Sequence, residues 1–236
     1  MSDKFKHRSQ KSELMDAPCI PKESLFQNLY ELDFINGISG GYPITMTGIK
    51  KLVTDKNKRY HIVDLGCGGG GTMKQIARWA RAKGYQVKLT GVDKNADAIN
   101  YMINGCKDYP EISGVASDYR DYLKTAGTID IIHCSLFCHH LNNDELTELF
   151  SDLKRCTKTG FVINDLQRNW LAYYSVQIIT RLLNGSDLSK NDGPISVLRA
   201  FKQKELNTLL KKVQINNYSI DRKWAFRYLI VGYNFD

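Results

Sequence analysis

The stretch Val63-Asp64-Leu65-Gly66-Cys67-Gly68-Gly69-Gly70-Gly71 decides the fold of this chain. It follows the apolar residues Tyr60-His61-Ile62 and precedes a helical pattern over 72–83, which predicts a strand, a glycine turn and a helix. Glycine allows a positive φ and a close approach of the backbone to a ligand. The start of the helix offers unpaired N–H groups and a partial positive charge. We therefore expect the turn to bind a ligand that carries a phosphate or a carboxylate.

Two ligand-binding patterns compete for this turn. Gly66, Gly68 and Gly71 fit G-x-G-x-x-G, the signature of dinucleotide sites. Asp64, Gly66, Gly68 and Gly70 fit D-x-G-x-G-x-G, which accounts for one more residue. An ionised Asp64 beside the turn attracts a ligand ammonium group, whereas it repels a pyrophosphate. The second pattern is therefore preferred, and an NAD-binding oxidoreductase remains the alternative.

The preferred pattern resembles motif I of the class I S-adenosylmethionine-dependent methyltransferases, whose cofactor carries an ammonium group on its methionine end. Asp93 ends the next predicted strand, where a carboxylate can accept hydrogen bonds from ribose hydroxyls. Asp118 resembles the loosely defined motif II, which implies a contact with the adenine amino group while Tyr119 or Leu123 packs on the ring. The resemblance implies S-adenosylmethionine as cofactor. The predicted cofactor residues are Asp64, Gly66, Cys67, Gly68, Gly70, Asp93, Lys94, Asp118, Tyr119 and Ser135.

Strand and helix patterns alternate through the middle of the chain. This alternation predicts an α/β fold with a parallel sheet and helices on both faces. Right-handed crossovers then place the ligand crevice at the carboxyl ends of the strands. Strands are expected at 60–64, 86–93, 112–117, 129–135 and 160–165.

The last part of the chain predicts an antiparallel hairpin. Segments 214–221 and 224–233 read as strands, and the short connection Arg222-Lys223 demands antiparallel pairing. A parallel sheet that ends in such a hairpin resembles the Rossmann-like methyltransferase sheet, with order 3-2-1-4-5-7-6 and the last strand antiparallel. The dinucleotide fold lacks the hairpin, which is the main reason for preferring a methyltransferase.

Length and composition indicate one domain. The 236 residues, of which 42% are hydrophobic and 25% charged, suffice for a single buried α/β core. We expect a flexible polar tail over 1–20 and one methyltransferase domain over 21–236. Cap helices within 22–54 precede the first strand, and the corner Gly40-Gly41-Tyr42 could approach the methionine carboxylate.

A helical lid insertion is expected over 167–200. The helical pattern at 168–183 is apolar over more than one stripe, and Asn191-Asp192-Gly193-Pro194 predicts a turn after it. Its aromatic content indicates a hydrophobic or aromatic acceptor. A core helix or a homodimer contact is the equal alternative. The predicted substrate residues are Tyr42, Arg168, Trp170, Tyr173 and Tyr174.

Three further motifs narrow the resemblance. Ser135-Leu136-Phe137-Cys138-His139-His140-Leu141, Val162-Ile163-Asn164-Asp165-Leu166-Gln167-Arg168 and the segment 192–201 resemble small bacterial methyltransferases. These are related to ubiquinone/menaquinone methylases, and some accompany type III polyketide synthases. The resemblance implies a phenolic, quinol-like or polyketide acceptor. Amino-group methylases instead place [DN]-P-P-[YF] at the end of this strand, which this chain lacks.

The chemistry needs alignment of the acceptor with the carbon–sulfur bond, and a hydroxyl acceptor gains from losing its proton. His140 and His139 are the leading candidates for the base, followed by Asp165. O-methylation is preferred over C-methylation. A net charge of +8 keeps an RNA methyltransferase as an alternative, although no nucleic-acid partner is expected. A non-catalytic binding protein is the third hypothesis.

The six cysteines form no C-x-x-C pair and predict reduced thiols in a cytoplasmic protein. Cys134, Cys138, His139 and His140 have the composition of metal ligands. Zinc sites usually combine two separated ligand pairs, and no second pair is evident, so no metal is expected. No apolar run approaches the roughly 18 residues of a membrane span.

Overall fold

The computed structural model describes residues 3–17, 19–183 and 185–233. A seven-stranded sheet with the order β3-β2-β1-β4-β5-β7-β6 forms its centre, which confirms the predicted fold class. The first five strands pair in parallel, and β7 is antiparallel to both β5 and β6. The strands are β1 Arg59–Leu65, β2 Gln86–Asp93, β3 Ile112–Ala116, β4 Ile129–Ser135, β5 Thr157–Leu166, β6 Tyr218–Lys223 and β7 Arg227–Tyr233.

Helices cover both faces of the sheet and one of its ends. The helices are α1 Lys22–Ile38, α2 Gly41–Leu52, α3 Gly71–Lys83, α4 Ala96–Gly105, α5 Tyr119–Thr125, α6 Asn143–Cys156, α7 Trp170–Leu182, α8 Asp187–Arg199 and α9 Gln203–Lys212. Single 3₁₀ turns occur at Asp3–Phe5, Leu14–Asp16 and Cys138–His140. No helix within the described parts of the chain is both long and apolar enough to cross a bilayer.

Alternation along β1 divides the core between the two faces. Ile62 belongs to a buried cluster with α2, α3 and α4, and Val63 to a second cluster with α5, α6 and α9. Because successive strand residues point to opposite faces, a strand buried on both sides must be apolar throughout. The carboxyl ends of the parallel strands therefore become the place where polar side chains collect.

The terminal hairpin turns later than the sequence suggested. Lys223 pairs with Arg227, so the connection is Trp224-Ala225-Phe226 rather than Arg222-Lys223. The alternating apolar pattern misled the assignment because it continues through the turn, where Trp224 is 82% exposed. The strand β6 also begins later than predicted, at Tyr218 instead of residue 214. Gln214 adopts a positive φ of 57° after α9, which is not an extended conformation.

The predicted turn around Gly193-Pro194 is wrong, because α8 runs through both residues. Gly193 lets α8 approach α7, and a Cβ built on it would lie 2.6 Å from Val176 Cγ1. Asp192 has a tertiary role as well, since its carboxylate accepts hydrogen bonds from the backbone N–H groups of Leu14 (2.7 Å) and Met15 (2.9 Å). These turn-forming residue types therefore serve packing contacts that the local sequence does not reveal.

Residues 3–17, expected as a flexible tail, pack against the domain. Phe5 is buried and meets the ring of Tyr173 edge-on at 5.7 Å between centroids. Arg8 donates hydrogen bonds to the carbonyl oxygens of Arg199 (2.7 Å) and Leu141 (2.8 Å). The polar composition of this segment concealed these long-range partners. Met1, Ser2 and Pro18, which fall in the same predicted tail, lie outside the described residues.

We predict that Gly232→Ala in β7 destabilises the fold. A Cβ at this position would lie 2.3 Å from Cε1 of the fully buried Phe161, so the ring or the strand must shift. Overpacking of this kind lowers the free energy of unfolding by about 1–3 kcal/mol. Urea denaturation measures the loss. Gly127→Ala is the control, because a Cβ there meets nothing within 4 Å; equal losses in the two variants would contradict the packing described.

Candidate functional site

A cavity of about 1130 Å³ opens at the carboxyl ends of the parallel strands. Its walls come from the glycine turn, the ends of β2, β3 and β4, the helix α1 and the N-terminal segment before it. Ligand pockets usually measure about 300–1,000 Å³, so the volume suffices for a cofactor together with a small second ligand. The cavity thus occupies the crevice that the topology predicts.

The glycine turn forms one wall of this cavity with a backbone that few other residues could adopt. Gly66, Gly68 and Gly70 have φ values of 69°, 48° and 72°. Gly66 also lies under the ring of Phe137, where a Cβ would come within 2.4 Å of Cδ2. Gly70 faces Met102 in the core rather than the cavity, so it contributes conformation and not a ligand contact.

Asp93 connects the end of β2 to the glycine turn. Its carboxylate accepts hydrogen bonds from the N–H groups of Gly68 (3.1 Å) and Asn95 (3.0 Å). Burial raises the pKa of Asp93, and these two hydrogen bonds oppose that effect. Asp93 and Lys94 both line the cavity, as the sequence predicted. The carboxylate at this strand end is therefore fixed in place at the cavity wall.

The next strand ends supply the remaining predicted cofactor residues. Asp118 caps α5 by accepting a hydrogen bond from the N–H of Arg120 at 2.8 Å, and Tyr119 meets Phe137 edge-on. Both residues line the cavity together with Ser135. The buried Tyr119 hydroxyl has no hydrogen-bond partner within the described residues, and burial raises its pKa. The rings of Tyr119 and Phe137 give this part of the cavity an apolar wall.

Cys67 lies in the glycine turn and on the cavity wall. Burial raises the pKa of its thiol well above the usual range, and the carboxylates of Asp64 and Asp93 add to this effect. Its sulfur packs 3.7 Å from the sulfur of Met102. Cys67 therefore remains a neutral, space-filling thiol.

Asp64 is paired within the protein. Its carboxylate lies 2.6 Å from Nδ1 of His133 in β4, and the two residues are 3% and 0% exposed. On its other side, Nε2 of His133 lies 3.3 Å from the hydroxyl oxygen of Thr45 in α2. The same hydroxyl accepts a 3.0 Å hydrogen bond from Asn164 in β5. Asp64 therefore reaches the cavity wall as the end of a buried polar network, not as the isolated carboxylate that the sequence suggested.

The cap helices place a further carboxylate in the cavity, one that the sequence analysis missed. The Tyr42 hydroxyl donates to Asp33 in α1, and both groups lie over the start of α3 at Gly71. Burial raises the pKa of Tyr42, and the neighbouring Asp33 raises it further. Tyr42 thus lines the cavity on the side of the glycine turn. A signal was present in the sequence, since Asp33 follows Leu29 and Leu32 on the apolar face of a helix.

The opposite end of the cavity is formed by His140, the 3₁₀ turn at Leu14–Asp16 and the end of α8. His140 Nδ1 lies 3.0 Å from Oδ1 of Asp16, whose Oδ2 accepts a 3.0 Å hydrogen bond from Arg199. Burial alone would raise the pKa of Asp16, but His140, Arg199 and a backbone N–H lower it far below the usual range. The imidazole of His140, with a side chain 24% exposed, is therefore held by an ionised carboxylate at the cavity wall.

His139 and Asp165 lie behind His140 and outside the cavity wall. His139 Nδ1 is 2.7 Å from Oδ1 of Asp165, and the two residues are 2% and 1% exposed. Burial would raise the pKa of Asp165, but His139, a backbone N–H and His140 together lower it. Of the three predicted catalytic residues, only His140 reaches the cavity.

Among the described residues, the predicted lid contacts on and before α7 do not line the cavity. Arg168 is buried, with its guanidinium bound to Glu205 (2.5 and 3.1 Å) and to the carbonyl oxygen of Ala200. Trp170 and Tyr174 are half exposed, and Tyr173 packs on Phe5. Of the predicted substrate residues, Tyr42 lines the cavity and the other four do not. The wall comes instead from the N-terminal segment, which the sequence analysis treated as a tail.

Known proteins resemble this chain in sequence and in fold. Residues 62–160 match the family described as "Methyltransferase domain". The match spans β1 to the start of β5 and includes the whole glycine turn. Over these residues the match agrees with the predicted resemblance to methyltransferases. A search of curated proteins finds no match.

Solved structures with the same fold include three methyltransferases. Human N-acetylserotonin methyltransferase in complex with S-adenosylmethionine has a TM-score of 0.64 at 13% identity, over 92% of this chain and 57% of its own. The plantazolicin methyltransferase BpumL in complex with S-adenosylhomocysteine has a TM-score of 0.63 at 17% identity, over 91% and 95%. The CMeT domain of the citrinin polyketide synthase has a TM-score of 0.56 at 13% identity, over 78% and 49%. This chain thus spans about half the length of the human and citrinin proteins and nearly all of BpumL.

We predict that His133→Phe strongly destabilises the protein, because it leaves the buried carboxylate of Asp64 without its partner. Removing one member of a buried pair costs about 3–5 kcal/mol in the free energy of unfolding. Chemical denaturation gives the value.

His61→Phe is the matched control. This partly exposed imidazole on β1 lies within hydrogen-bond distance of the Thr128 carbonyl oxygen and the Thr90 hydroxyl. A neutral hydrogen-bond loss there costs about 1 kcal/mol. Losses of equal size in the two variants would show that the pair of Asp64 and His133 is no more important than an ordinary surface contact.

Proposed function

We propose that this chain, in which residues 62–160 form a methyltransferase domain, transfers a methyl group from S-adenosylmethionine to a small aromatic or hydrophobic acceptor. Oxygen is the preferred acceptor atom, on a phenol, a quinol or a polyketide-like hydroxyl. One observation carries the proposal: a single cavity has the glycine turn and Asp93 at one end and the pair of His140 and Asp16 at the other.

S-adenosylmethionine is the cofactor of this family, and solved structures of the same fold contain it or its product. In this chain, Asp93 would accept the ribose hydroxyls, and Tyr119 and Phe137 would pack against the adenine. The carboxylates of Asp33 and Asp64 lie on the same side of the cavity as the glycine turn. They provide a negative environment for the methionine ammonium group, and the N–H groups at the start of α3 provide a positive one for its carboxylate.

The acceptor would occupy the remainder of the cavity, next to His140. Apolar side chains there include Met15, Ile20 and Leu141, whereas the polar groups are concentrated around His140 and Asp16. A pocket that is mostly apolar with a few fixed polar groups suits a small aromatic hydroxyl compound. The polar groups would orient its hydroxyl, and the apolar wall would exclude water.

The reaction forms one carbon–oxygen bond and breaks one carbon–sulfur bond. The acceptor oxygen attacks the methyl carbon in line with the leaving sulfur, which takes the bonding electron pair and becomes the thioether of S-adenosylhomocysteine. The hydroxyl proton leaves the oxygen at the polar end of the cavity, beside His140. Because the sulfonium already activates the methyl group, the protein acts mainly by alignment and by assisting this proton loss.

The NAD-dependent alternative is less favoured by the arrangement of charge. A pyrophosphate at the glycine turn would lie close to the carboxylates of Asp33 and Asp64. The methionine end of S-adenosylmethionine contains an ammonium group that these acids can balance. The antiparallel hairpin of β6 and β7 also separates this sheet from the dinucleotide fold.

We expect isothermal calorimetry to detect binding of S-adenosylhomocysteine and no binding of NAD. Asp93→Ala should weaken the interaction about 10- to 100-fold, since hydrogen bonds to a charged group contribute about 1.5–3 kcal/mol. Asp108→Ala is the control, because Asp108 lies outside the cavity. Binding of NAD instead of S-adenosylhomocysteine by the folded protein would overturn the proposal.

We also expect methyl transfer to depend on His140. Transfer of labelled methyl from S-adenosylmethionine to a panel of resorcinol, hydroquinone and tetrahydroxynaphthalene identifies an acceptor and gives its turnover. His140→Asn should lower kcat about 10²- to 10⁴-fold, the usual contribution of acid–base assistance.

Calorimetry on the same variant should show unchanged binding of S-adenosylhomocysteine, because His140 lies at the acceptor end. His7→Asn, an exposed histidine on the N-terminal segment, should leave turnover unaltered. Full turnover in His140→Asn would remove this residue from the mechanism.

A further inference from the structure

We propose that Glu13, His139 and His140 form a binding site for one divalent transition-metal ion of the zinc type at the polar end of the cavity. One ligand atom from each residue lies within 4.8 Å of the others. No metal was expected from the sequence, because no second ligand pair accompanies Cys134, Cys138, His139 and His140. Glu13 supplies a ligand from a segment more than a hundred residues away in the sequence.

The distances suit an ion better than a hydrogen bond. Glu13 Oε1 lies 3.7 Å from Nε2 of His139, and Oε2 lies 3.9 Å from Nε2 of His140. Both separations exceed the range of a hydrogen bond. A tetrahedral zinc with bonds of about 2.0–2.2 Å holds its ligand atoms roughly 3.3 Å apart. Small side-chain rotations would therefore bring the three groups to bonding distance.

Each histidine is oriented as a metal ligand would be. His139 Nδ1 faces Asp165 at 2.7 Å, and His140 Nδ1 faces Asp16 at 3.0 Å. When Nδ1–H of each ring donates a hydrogen bond to its carboxylate, the lone pair that can bind a metal lies on Nε2, towards Glu13. A carboxylate behind the ligating imidazole is the usual outer contact of histidine-bound metals, where it fixes the tautomer and raises ligand basicity.

Glu13 itself is a buried carboxylate with an unused oxygen. The residue is 6% exposed, and Oε1 accepts no hydrogen bond from the described part of the chain. Buried polar atoms are nearly always partnered, so the unpartnered Oε1 of a carboxylate that faces His139 with one oxygen and His140 with the other requires an explanation. A bound cation supplies one.

The neighbouring guanidinium groups do not supply this partner by hydrogen bonding. Arg199 Nε is 3.9 Å from Glu13 Oε1 and donates instead to the His139 carbonyl oxygen at 3.1 Å. Its other donors bond Asp16 and the carbonyl oxygens of Lys11 and His140. Arg8 also donates to the His139 carbonyl oxygen. The two arginines thus fix the ligand-bearing backbone and leave the carboxylate of Glu13 directed at the two imidazoles.

The ligand set indicates which ions fit. Two imidazoles and one carboxylate bind zinc in catalytic sites, and the same set binds iron(II) with open positions. Three protein ligands leave one position of a tetrahedral ion for another molecule. Because His140 lines the cavity, this position would lie at the acceptor end. The ion would also fasten the N-terminal segment to the turn at Cys138–His140.

The chemical role of the ion rests on the function proposed above, whereas its binding does not. An acceptor hydroxyl that coordinates the ion would lose its proton more readily, as metal-bound water does. His140 would then act through the ion and not as a free base. Loss of His140 would lower turnover whether this residue acts as a base or as a metal ligand. The test of the metal site therefore measures metal binding and not activity.

The test is titration of untagged, chelator-treated full-length protein with Co²⁺ followed by visible absorption, and with Zn²⁺ followed by calorimetry. The wild type should bind one ion per chain with the strong visible bands of four-coordinate cobalt. Glu13→Gln and His140→Asn should lose this site. Asp165→Asn, which removes only an outer contact, should weaken the affinity about 10- to 100-fold.

Glu23→Gln and His7→Asn are the matched controls, because both residues are exposed and lie outside the cluster. They should bind the ion like the wild type. Circular dichroism and binding of S-adenosylhomocysteine show that each variant is folded. Absence of a stoichiometric ion in the wild type, or equal binding in Glu13→Gln, His140→Asn and the controls, would overturn the metal site. Binding of S-adenosylhomocysteine without a metal would leave the proposed methyltransferase activity intact.

Discussion

The structure around the site depends on the buried contact between Asp64 and His133. It joins β1 to β4 in the middle of the sheet and continues through Thr45 and Asn164 to Arg227 on β7. Burial lowers the pKa of Arg227 to about 10, with Asp165 and Tyr42 opposing this effect. A carboxylate and a guanidinium removed from water need such partners, because an unpaired buried charge is costly. The network therefore fixes the cap helix α2 over the sheet and fixes the strand end from which the glycine turn departs.

Charge is distributed unevenly along the cavity as a result. Carboxylates surround the glycine turn, where Asp33 from α1 joins Asp64 and Asp93. At the far end, the imidazole of His140 and the guanidinium of Arg199 both contact the carboxylate of Asp16 at the cavity wall. One end suits the polar groups of an amino-acid-linked nucleoside, and the other suits the ionisable hydroxyl of an acceptor. The separation of these two environments within one cavity is the physical basis of the proposed methyl transfer.

Much of the fold and of the nucleoside end could be predicted from the sequence, because those features depend on local pattern. Alternating strand and helix signals predicted the sheet, and the acid and glycine spacing placed Asp64, Gly66 and Gly68 at the turn after β1 and Asp93 at the end of β2 beside it. The acceptor end depends on contacts between distant segments, which local pattern does not encode. Glu13 and Asp16 lie in a polar segment that reads as a tail, and they meet His140 only after the chain has closed around it. Arg168 and Tyr173 misled the prediction in the opposite direction, since their residue types suit a substrate site but they serve packing against residues 5–6 and Glu205.

The central claim is that one cavity aligns the cofactor with an acceptor at His140, and a crystal structure with S-adenosylhomocysteine bound tests it most directly. The account predicts that the ribose hydroxyls bind Asp93, that the amino group lies beside Asp33 and Asp64, and that the sulfur faces the part of the cavity lined by His140. A nucleoside bound elsewhere, or a sulfur that faces away from His140 and the N-terminal segment, would contradict it.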